Sequence, residues 1–129
     1  MPRDPRIDLV NKAICAGQIQ WSDSAQRRMR DDREMRRFTQ IGINGLLSDF
    51  VANQGGQIKC RKEQNEDWLN KHPNDPWWYA VIVPVPPDIP DFRRGLFVKV
   101  KLLWEDGDKD EDAWIEVISP HKQLTGKIL

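Results

Sequence analysis

The sequence has little that would tie it to a membrane, a metal or an oxidising compartment. No apolar run approaches the roughly 20 residues that a transmembrane helix needs. The first residues, MPRDPRID, lack the apolar segment of a signal peptide. The two cysteines, Cys15 and Cys60, and the two histidines do not follow a zinc-binding spacing. We therefore expect a cytoplasmic protein with reduced thiols, no cofactor and no bound metal.

An excess of one charge and the common nucleotide-binding motifs are also missing. Lys and Arg number 20, as do Asp and Glu, so the formal net charge is zero and gives no general attraction to nucleic acid. There is no glycine-rich phosphate loop and no serine nucleophile elbow. The acidic run 105–112 lacks the glycine and the bidentate carboxylate of a calcium loop, so it predicts a turn.

The 129 residues are enough for one domain with a core, since 39% are hydrophobic and six are tryptophans. We expect a single domain over residues 1–129. Its helices should span about 5–53 and its sheet about 57–119, followed by a short C-terminal tail.

Three helices are predicted in the first part of the chain. An aspartate followed by Pro5 suits a helix start, and Gly17 is placed to end that helix. Gln18 to Trp21 is interpreted as a connector. The second and third helices should begin after the capping residues Ser22 and Thr39.

After position 56 the hydrophobic period changes to that of strands. Gln57 to Arg61 predicts a short strand, and the run WWYAVIV from Trp77 to Val83 predicts a second. The prolines in Pro84 to Phe92 predict an extended crossing. Gly95 to Gln123 alternates apolar and polar residues on both sides of the acidic turn, which predicts a β-hairpin. This order predicts an α+β fold, with the N-terminal helices packed on one face of an antiparallel β-sheet.

Three features of this fold could carry chemistry, and each has a plainer interpretation. His121, predicted just past the last strand and beside Lys122, can act as a general acid or base, or is simply a histidine in a solvated tail. Arg27 and Arg28 of the second helix can bind phosphates, or pair with acids at helical spacing. The aromatics 77–79 can stack on bases, or belong to the core.

Four phrases resemble one protein family. They are RIDLVNKAICAGQIQWSDSA at 6–25, the SDF at Ser48 to Phe50, the strand Trp77 to Val83, and the ending GLFVKVKLLW…WIEVISPHKQ. Together they resemble the MqsR toxins, RNA-cleaving members of the RelE-like group. The resemblance implies a RelE-like fold and a metal-independent endoribonuclease that cuts single-stranded mRNA by activating the ribose 2′-hydroxyl. It also implies a cognate antitoxin protein as partner.

The resemblance and the chemistry together suggest a set of site residues. In this family the terminal phrase carries a catalytic cation, whose counterpart here is His121, whereas Phe97 or Val98 stands where the family has a tyrosine. Attack by a 2′-hydroxyl needs a base, an acid and cations for the phosphate. His121 and Tyr79 can serve as base and acid, with Lys59 as the catalytic cation. The predicted RNA-binding residues are Arg61, Lys122, Arg27, Arg28 and Trp78.

A non-catalytic protein-binding module on the same RelE-like fold is the main alternative. It would account for the zero net charge and for the family residues that this chain lacks. A third interpretation is a partner-recognition protein whose sheet edge or proline-rich crossing docks another chain.

Overall fold

A computed structural model of the chain describes residues 5–33, 35, 38–54, 58–64, 66–71, 77–83, 95–104 and 107–122. For residues 5, 53, 54, 68, 71, 121 and 122 it describes the backbone alone. Three predicted features lie outside the described residues: the capping aspartate at position 4, the proline-rich crossing 84–92 and the tail after position 122.

Helices and strands of the described chain form an α+β fold, as predicted. The elements are α1 (Pro5–Cys15), β1 (Ile19–Trp21), α2 (Asp23–Asp31), α3 (Gln40–Gln54), β2 (Ile58–Lys62), α4 (Glu66–Lys71), β3 (Trp77–Val83), β4 (Leu96–Leu103) and β5 (Trp114–Lys122). The strands form one five-stranded sheet in the order β1-β5-β4-β3-β2. No helix of the described residues is long and apolar enough to cross a membrane.

The predicted helix caps are confirmed where the structure describes them. The Ala25 N–H donates to the Ser22 hydroxyl at 3.1 Å, and the Gly42 N–H donates to the Thr39 hydroxyl at 2.9 Å. Helix α1 ends at Cys15, and Gly17, two residues later, has a φ of +73° that glycine readily adopts. The next N–H, of Gln18, returns to the Ala13 carbonyl at 2.9 Å, as in a Schellman motif.

The prediction of a connector at Gln18 to Trp21 is wrong, because these residues lead into a strand. Strand β1 pairs in parallel with β5, from Ile19 opposite Ile115 to Trp21 opposite Val117. The Gln18 side chain donates to the Ala113 carbonyl at 2.5 Å and so fixes the start of this pairing. The sheet is therefore mixed rather than antiparallel throughout.

The predicted hairpin of β4 and β5 is confirmed, but it is longer than expected. Leu96 to Lys99 pair with Lys122 to Ser119, so His121 lies within β5 and not in a tail. Pro120, expected to stop the ladder, lies opposite Val98. A proline is tolerated there because β1 pairs with β5 only as far as Val117, and a missing N–H beyond that point removes no described ladder bond.

One extra residue interrupts the alternation of β5. The register shifts between Lys99, which lies opposite Ser119, and Val100, which lies opposite Val117, and Ile118 is left as a β-bulge. Because side chains alternate along a strand, an extra residue exchanges the two faces for all residues that follow it. Ser119 and His121 thus take register positions on the face opposite to that of Val117.

The two faces of the sheet have different surroundings. The core face packs on α1, α2 and α3, and apolar side chains of β3, β4 and β5 are buried there. The apolar residues of the shorter strands β1 and β2 are partly buried against the same core. The opposite face, called the second face below, has a smaller apolar cluster: Ala80, Ile82 and Phe97, with Trp78 packed against them.

Glycine is required at position 95, where the chain enters β4. Gly95 has a φ of +100°, and a Cβ there would lie 2.9 Å from the Val83 carbonyl oxygen. Gly95→Ala should lower the free energy of unfolding by at least about 2 kcal/mol, since it adds backbone strain to a clash with backbone. Gly45→Ala is the matched control: nothing lies within 4 Å of its Cβ, and alanine should stabilise α3 by about 0.5–1 kcal/mol. Urea unfolding followed by circular dichroism measures the stability of both variants. An unchanged midpoint for Gly95→Ala would contradict the requirement for glycine at position 95.

Candidate functional site

Polar side chains of the second face form rows across the sheet. Lys59 of β2, Ala80 of β3, Lys99 of β4 and Ser119 of β5 are successive partners in one row. Arg61 lies opposite Trp78 in the next row. Of the predicted residues, Lys59, Arg61 and Trp78 are therefore brought together on one face.

Lys99 is the centre of this face. Its Nζ lies 2.6 Å from a carboxylate oxygen of Glu63 and 4.6 Å from the centroid of the Trp78 ring. Trp78 in turn meets Phe97 edge to face, with ring centroids 6.4 Å apart and planes at 64°. An ammonium over an indole face is attracted by the ring quadrupole, so Trp78 and Glu63 both hold the Lys99 cation in place.

Glu63 reaches this position from the end of β2. It follows Lys62 directly in the chain, and its carboxylate crosses the position of β3 to meet a lysine of β4. The Lys99 and Glu63 side chains are 23% and 12% exposed, so the ion pair is largely shielded from water. Loss of either partner would leave a poorly solvated charge, which is costly in a protein interior.

A second row of charges lies toward the β1 edge. Lys101 of β4 is opposite Glu116 of β5, and its side chain is buried although it carries a charge. The Gln20 side chain of β1 donates to the Glu116 carboxylate at 3.0 Å. The described second face thus has four cations, Lys59, Arg61, Lys99 and Lys101, against two carboxylates, Glu63 and Glu116.

His121 and Lys122 do not share a face. The backbone register puts His121 opposite Phe97, a residue of the second face, and Lys122 opposite Leu96, a residue of the core face. Their side chains lie outside what the structure describes. Position 121 therefore lies in the row next to Lys99 and Ser119, whereas position 122 takes a register position on the core face.

Tyr79 is not positioned for the predicted catalytic role. It lies between Cys60 of β2 and Val100 of β4 on the core face, and its side chain is 1% exposed. Trp78 and Tyr79 are neighbours in one strand, so they point to opposite faces. The expectation that Tyr79 works beside His121 is therefore corrected: Tyr79 belongs to the core.

Arg27 and Arg28 also lie away from the second face. They are exposed on α2, whose Ala25 is buried in the core cluster, and α2 begins beside β5 through a 3.0 Å bond from the Ser22 N–H to the Val117 carbonyl. Strand β2 is three strands away from β5, or about 14 Å. A depression of about 580 Å³ is lined there by Asp23, Gln26, Arg27, Arg30 and Gln40. The structure thus divides the predicted RNA-binding residues between two surfaces.

Two residues of the cluster were not predicted from sequence, Lys99 and Glu63. Lys99 alternates with the buried valines of β4, so its place on the second face could have been read from the two-residue period. Glu63 has no such signal, because its role depends on a contact with a residue 36 positions later.

No group of three or more His, Cys, Asp or Glu among the described residues is arranged to bind a metal ion. Comparisons with protein-family models, with curated proteins and with solved structures found no match. The chemistry of the site is therefore inferred from its own residues.

The Glu63–Lys99 pair should couple strongly in a double-mutant cycle. Glu63→Gln and Lys99→Met should each lower the free energy of unfolding by about 1–3 kcal/mol, since each leaves a partly buried charge without its counter-ion. The double variant should cost at least about 1 kcal/mol less than the sum.

The control for this cycle is the helical pair of Arg28 and Asp32, which is 3.8 Å apart with side chains 42% and 29% exposed. Its coupling should not exceed about 0.5 kcal/mol. Urea unfolding of both cycles gives the comparison. Equal coupling energies for the two pairs would mean that the Glu63–Lys99 contact is no more than a surface ion pair.

Proposed function

We propose that this protein binds single-stranded RNA on the second face of its sheet and cleaves it there by attack of the ribose 2′-hydroxyl, as an MqsR-like endoribonuclease with a RelE-like fold. The observation that carries the proposal is the Lys99 cluster, in which a cation, an aromatic ring and a carboxylate meet next to the strand position of His121. Two more cations, Lys59 and Arg61, extend this surface to the edge strand β2.

The cations and aromatics of this face support binding of an unpaired strand. Lysine and arginine side chains neutralise phosphates, while an aromatic ring stacks on any base and contributes roughly 1–3 kcal/mol. Lys99 lies over the Trp78 ring at 4.6 Å, so a base would stack on the other side of that ring or displace the ammonium. Because the whole protein has no net charge, attraction to RNA depends on these local cations.

The positions of His121 and Lys99 support cleavage by a metal-independent route. The histidine would take the proton of the 2′-hydroxyl, the 2′ oxygen would attack phosphorus, and the bond from phosphorus to the 5′ oxygen would break. A cation within reach of the phosphate stabilises the charge that develops on its oxygens. Since Tyr79 is in the core, a lysine ammonium of the second face, rather than a tyrosine, would donate the proton that the leaving 5′ oxygen takes up.

An enzyme of this kind needs a partner that restrains it, and we include a cognate antitoxin protein in the proposal. Unrestrained cleavage of mRNA would stop growth of the cell that makes the enzyme. Growth arrest on expression, relieved by His121→Ala, would support the enzyme over the non-catalytic alternative.

Binding to a labelled ten-nucleotide RNA of mixed sequence should depend on the second face. Arg61→Ala should weaken binding several-fold and reduce the slope of log K against log salt concentration by about 0.7, the value for one lost contact to a single strand. Fluorescence anisotropy at several salt concentrations measures both quantities.

Lys62→Ala is the matched control for Arg61→Ala. Lys62 is an exposed lysine of the same strand, one residue further, and alternation puts it on the other face. Its removal should leave the slope unchanged. If the two variants lower affinity and slope equally, RNA does not use the second face.

Cleavage should require His121 and no metal. In excess EDTA the wild-type protein should cut single-stranded RNA to products ending in a 2′,3′-cyclic phosphate, and His121→Ala should be at least about 100-fold slower, as expected on losing a proton-transfer group. Lys122→Ala should cut at close to the wild-type rate, because its register position is on the core face. An RNA with a single deoxynucleotide at the cleavage position should not be cut.

A His121→Ala variant that binds RNA normally and cuts as fast as wild type would overturn the catalytic assignment. A wild-type protein that neither binds nor cuts RNA would favour the non-catalytic protein-binding alternative. Positions 121 and 122 lie in the paired part of β5, so a substitution there could disturb the fold. Circular dichroism of each variant identifies such a loss of folding.

A further inference from the structure

The surface of α2 is the charged feature that the proposed function leaves unused. The depression beside it has two arginines three residues apart, Arg27 and Arg30, the amides of Gln26 and Gln40, and one acid, Asp23. Arg30 is paired with Asp31 at 3.1 Å, whereas Arg27 has no ion pair among the described residues. This depression lies on the core-face side of the molecule, away from the Lys99 cluster. We call it the α2 depression.

The opposite charge is concentrated before β5. Asp108, Asp110, Glu111 and Asp112 are all exposed in the turn 107–112, which ends in a short 3-10 helix. Trp114 follows directly and is the first residue of β5. We call this surface the acidic turn.

Each of these two surfaces has an exposed apolar side chain at its margin. Ile41, which follows Gln40 of the α2 depression, is 84% exposed, and Trp114 of the acidic turn is 42% exposed. They are the large hydrophobic side chains exposed among the described residues. Tryptophan and arginine are the residues that most often carry the binding energy of protein interfaces.

We infer that the α2 depression is the docking site for the acidic turn of a second copy of this chain. Carboxylates of the turn would meet Arg27 and Arg30, while the Trp114 ring would enter the depression and contact Ile41. A volume of about 580 Å³ lies within the roughly 300–1,000 Å³ of small-molecule binding pockets. The carboxylate of Asp23 would accept the indole N–H, which accounts for an acid among arginines.

The net charge of zero favours this contact between copies. A chain with 20 basic and 20 acidic residues has no overall repulsion to overcome when two copies approach, so the local complementarity of the two surfaces decides their orientation.

The contact is head to tail. Trp114 lies opposite Leu103 at one end of the second face, whereas α2 lies on the core-face side, so one copy offers its turn and still leaves its own depression free. Contacts of this kind build a ring where the rotation between copies closes and an open row where it does not.

Sedimentation velocity over a range of protein and salt concentrations tests the inference. The average mass should rise continuously with protein concentration at low salt and fall as salt is added, since charge pairs at a surface are screened. A protein that stays monomeric at high concentration and low salt would overturn the inference.

Two charge-reversal variants give the sharper test. Arg27→Glu/Arg30→Glu reverses the charge of the α2 depression and leaves the acidic turn unchanged. Asp110→Lys/Glu111→Lys reverses the charge of the acidic turn and leaves the α2 depression unchanged. Each alone should associate at least about tenfold more weakly than wild type, because like charges would face one another. Mixed together, they should associate again, because the intact turn of the first variant meets the intact depression of the second and the two reversed surfaces also carry opposite charges.

The control variant Lys12→Glu/Lys62→Glu has the same net charge as Arg27→Glu/Arg30→Glu but keeps both surfaces, and it should self-associate like wild type. If it also fails to associate, net charge rather than docking governs the behaviour and the inference fails. If the two reversal variants stay apart when mixed, the two surfaces do not dock and the inference fails as well. Neither outcome depends on RNA, so the proposed nuclease can stand or fall separately.

Discussion

The bulge at Ile118 is the constraint on which the arrangement of the second face depends. Without it, the alternation that buries Ile115 and Val117 would carry His121 to the core face. With it, Ser119 and position 121 join the side of the sheet that carries Lys99. Helix α2 is tied to the same point, since the Ser22 hydroxyl contacts the Ile118 carbonyl at 3.5 Å and the Ser22 N–H donates to the Val117 carbonyl. One irregularity thus sets the face of position 121 and lies where α2 meets the sheet.

The elements that were predicted correctly depend on residues close together in the sequence. The caps at Ser22 and Thr39, the glycine stop at Gly17 and the hairpin alternation depend on residues a few positions apart, and the structure has all of them. Strand β1 was missed because three residues carry almost no pattern and their partner lies at the far end of the chain. The six-residue helix α4 was missed for the same lack of length.

The site was predicted less well, because it depends on which face each side chain takes. Lys59, Arg61 and Trp78 share a face through a register that no single strand reveals. In WWYAVIV every residue from Tyr79 onward is buried, so the sequence does not distinguish the two sides and Tyr79 could not be assigned to the core. The role of Glu63 depends on its contact with Lys99 across strand β3, and this contact is visible only in the folded chain.

The parallel pairing of β1 with β5 joins the beginning of the chain to its end. Gln20 and Glu116, which share a hydrogen bond, are 96 residues apart. During synthesis the first helices leave the ribosome before β5 has been made. Until β5 follows, β1 has no partner strand and the apolar side of α2 has no complete sheet to cover. The folded domain therefore forms only after β5 has left the ribosome.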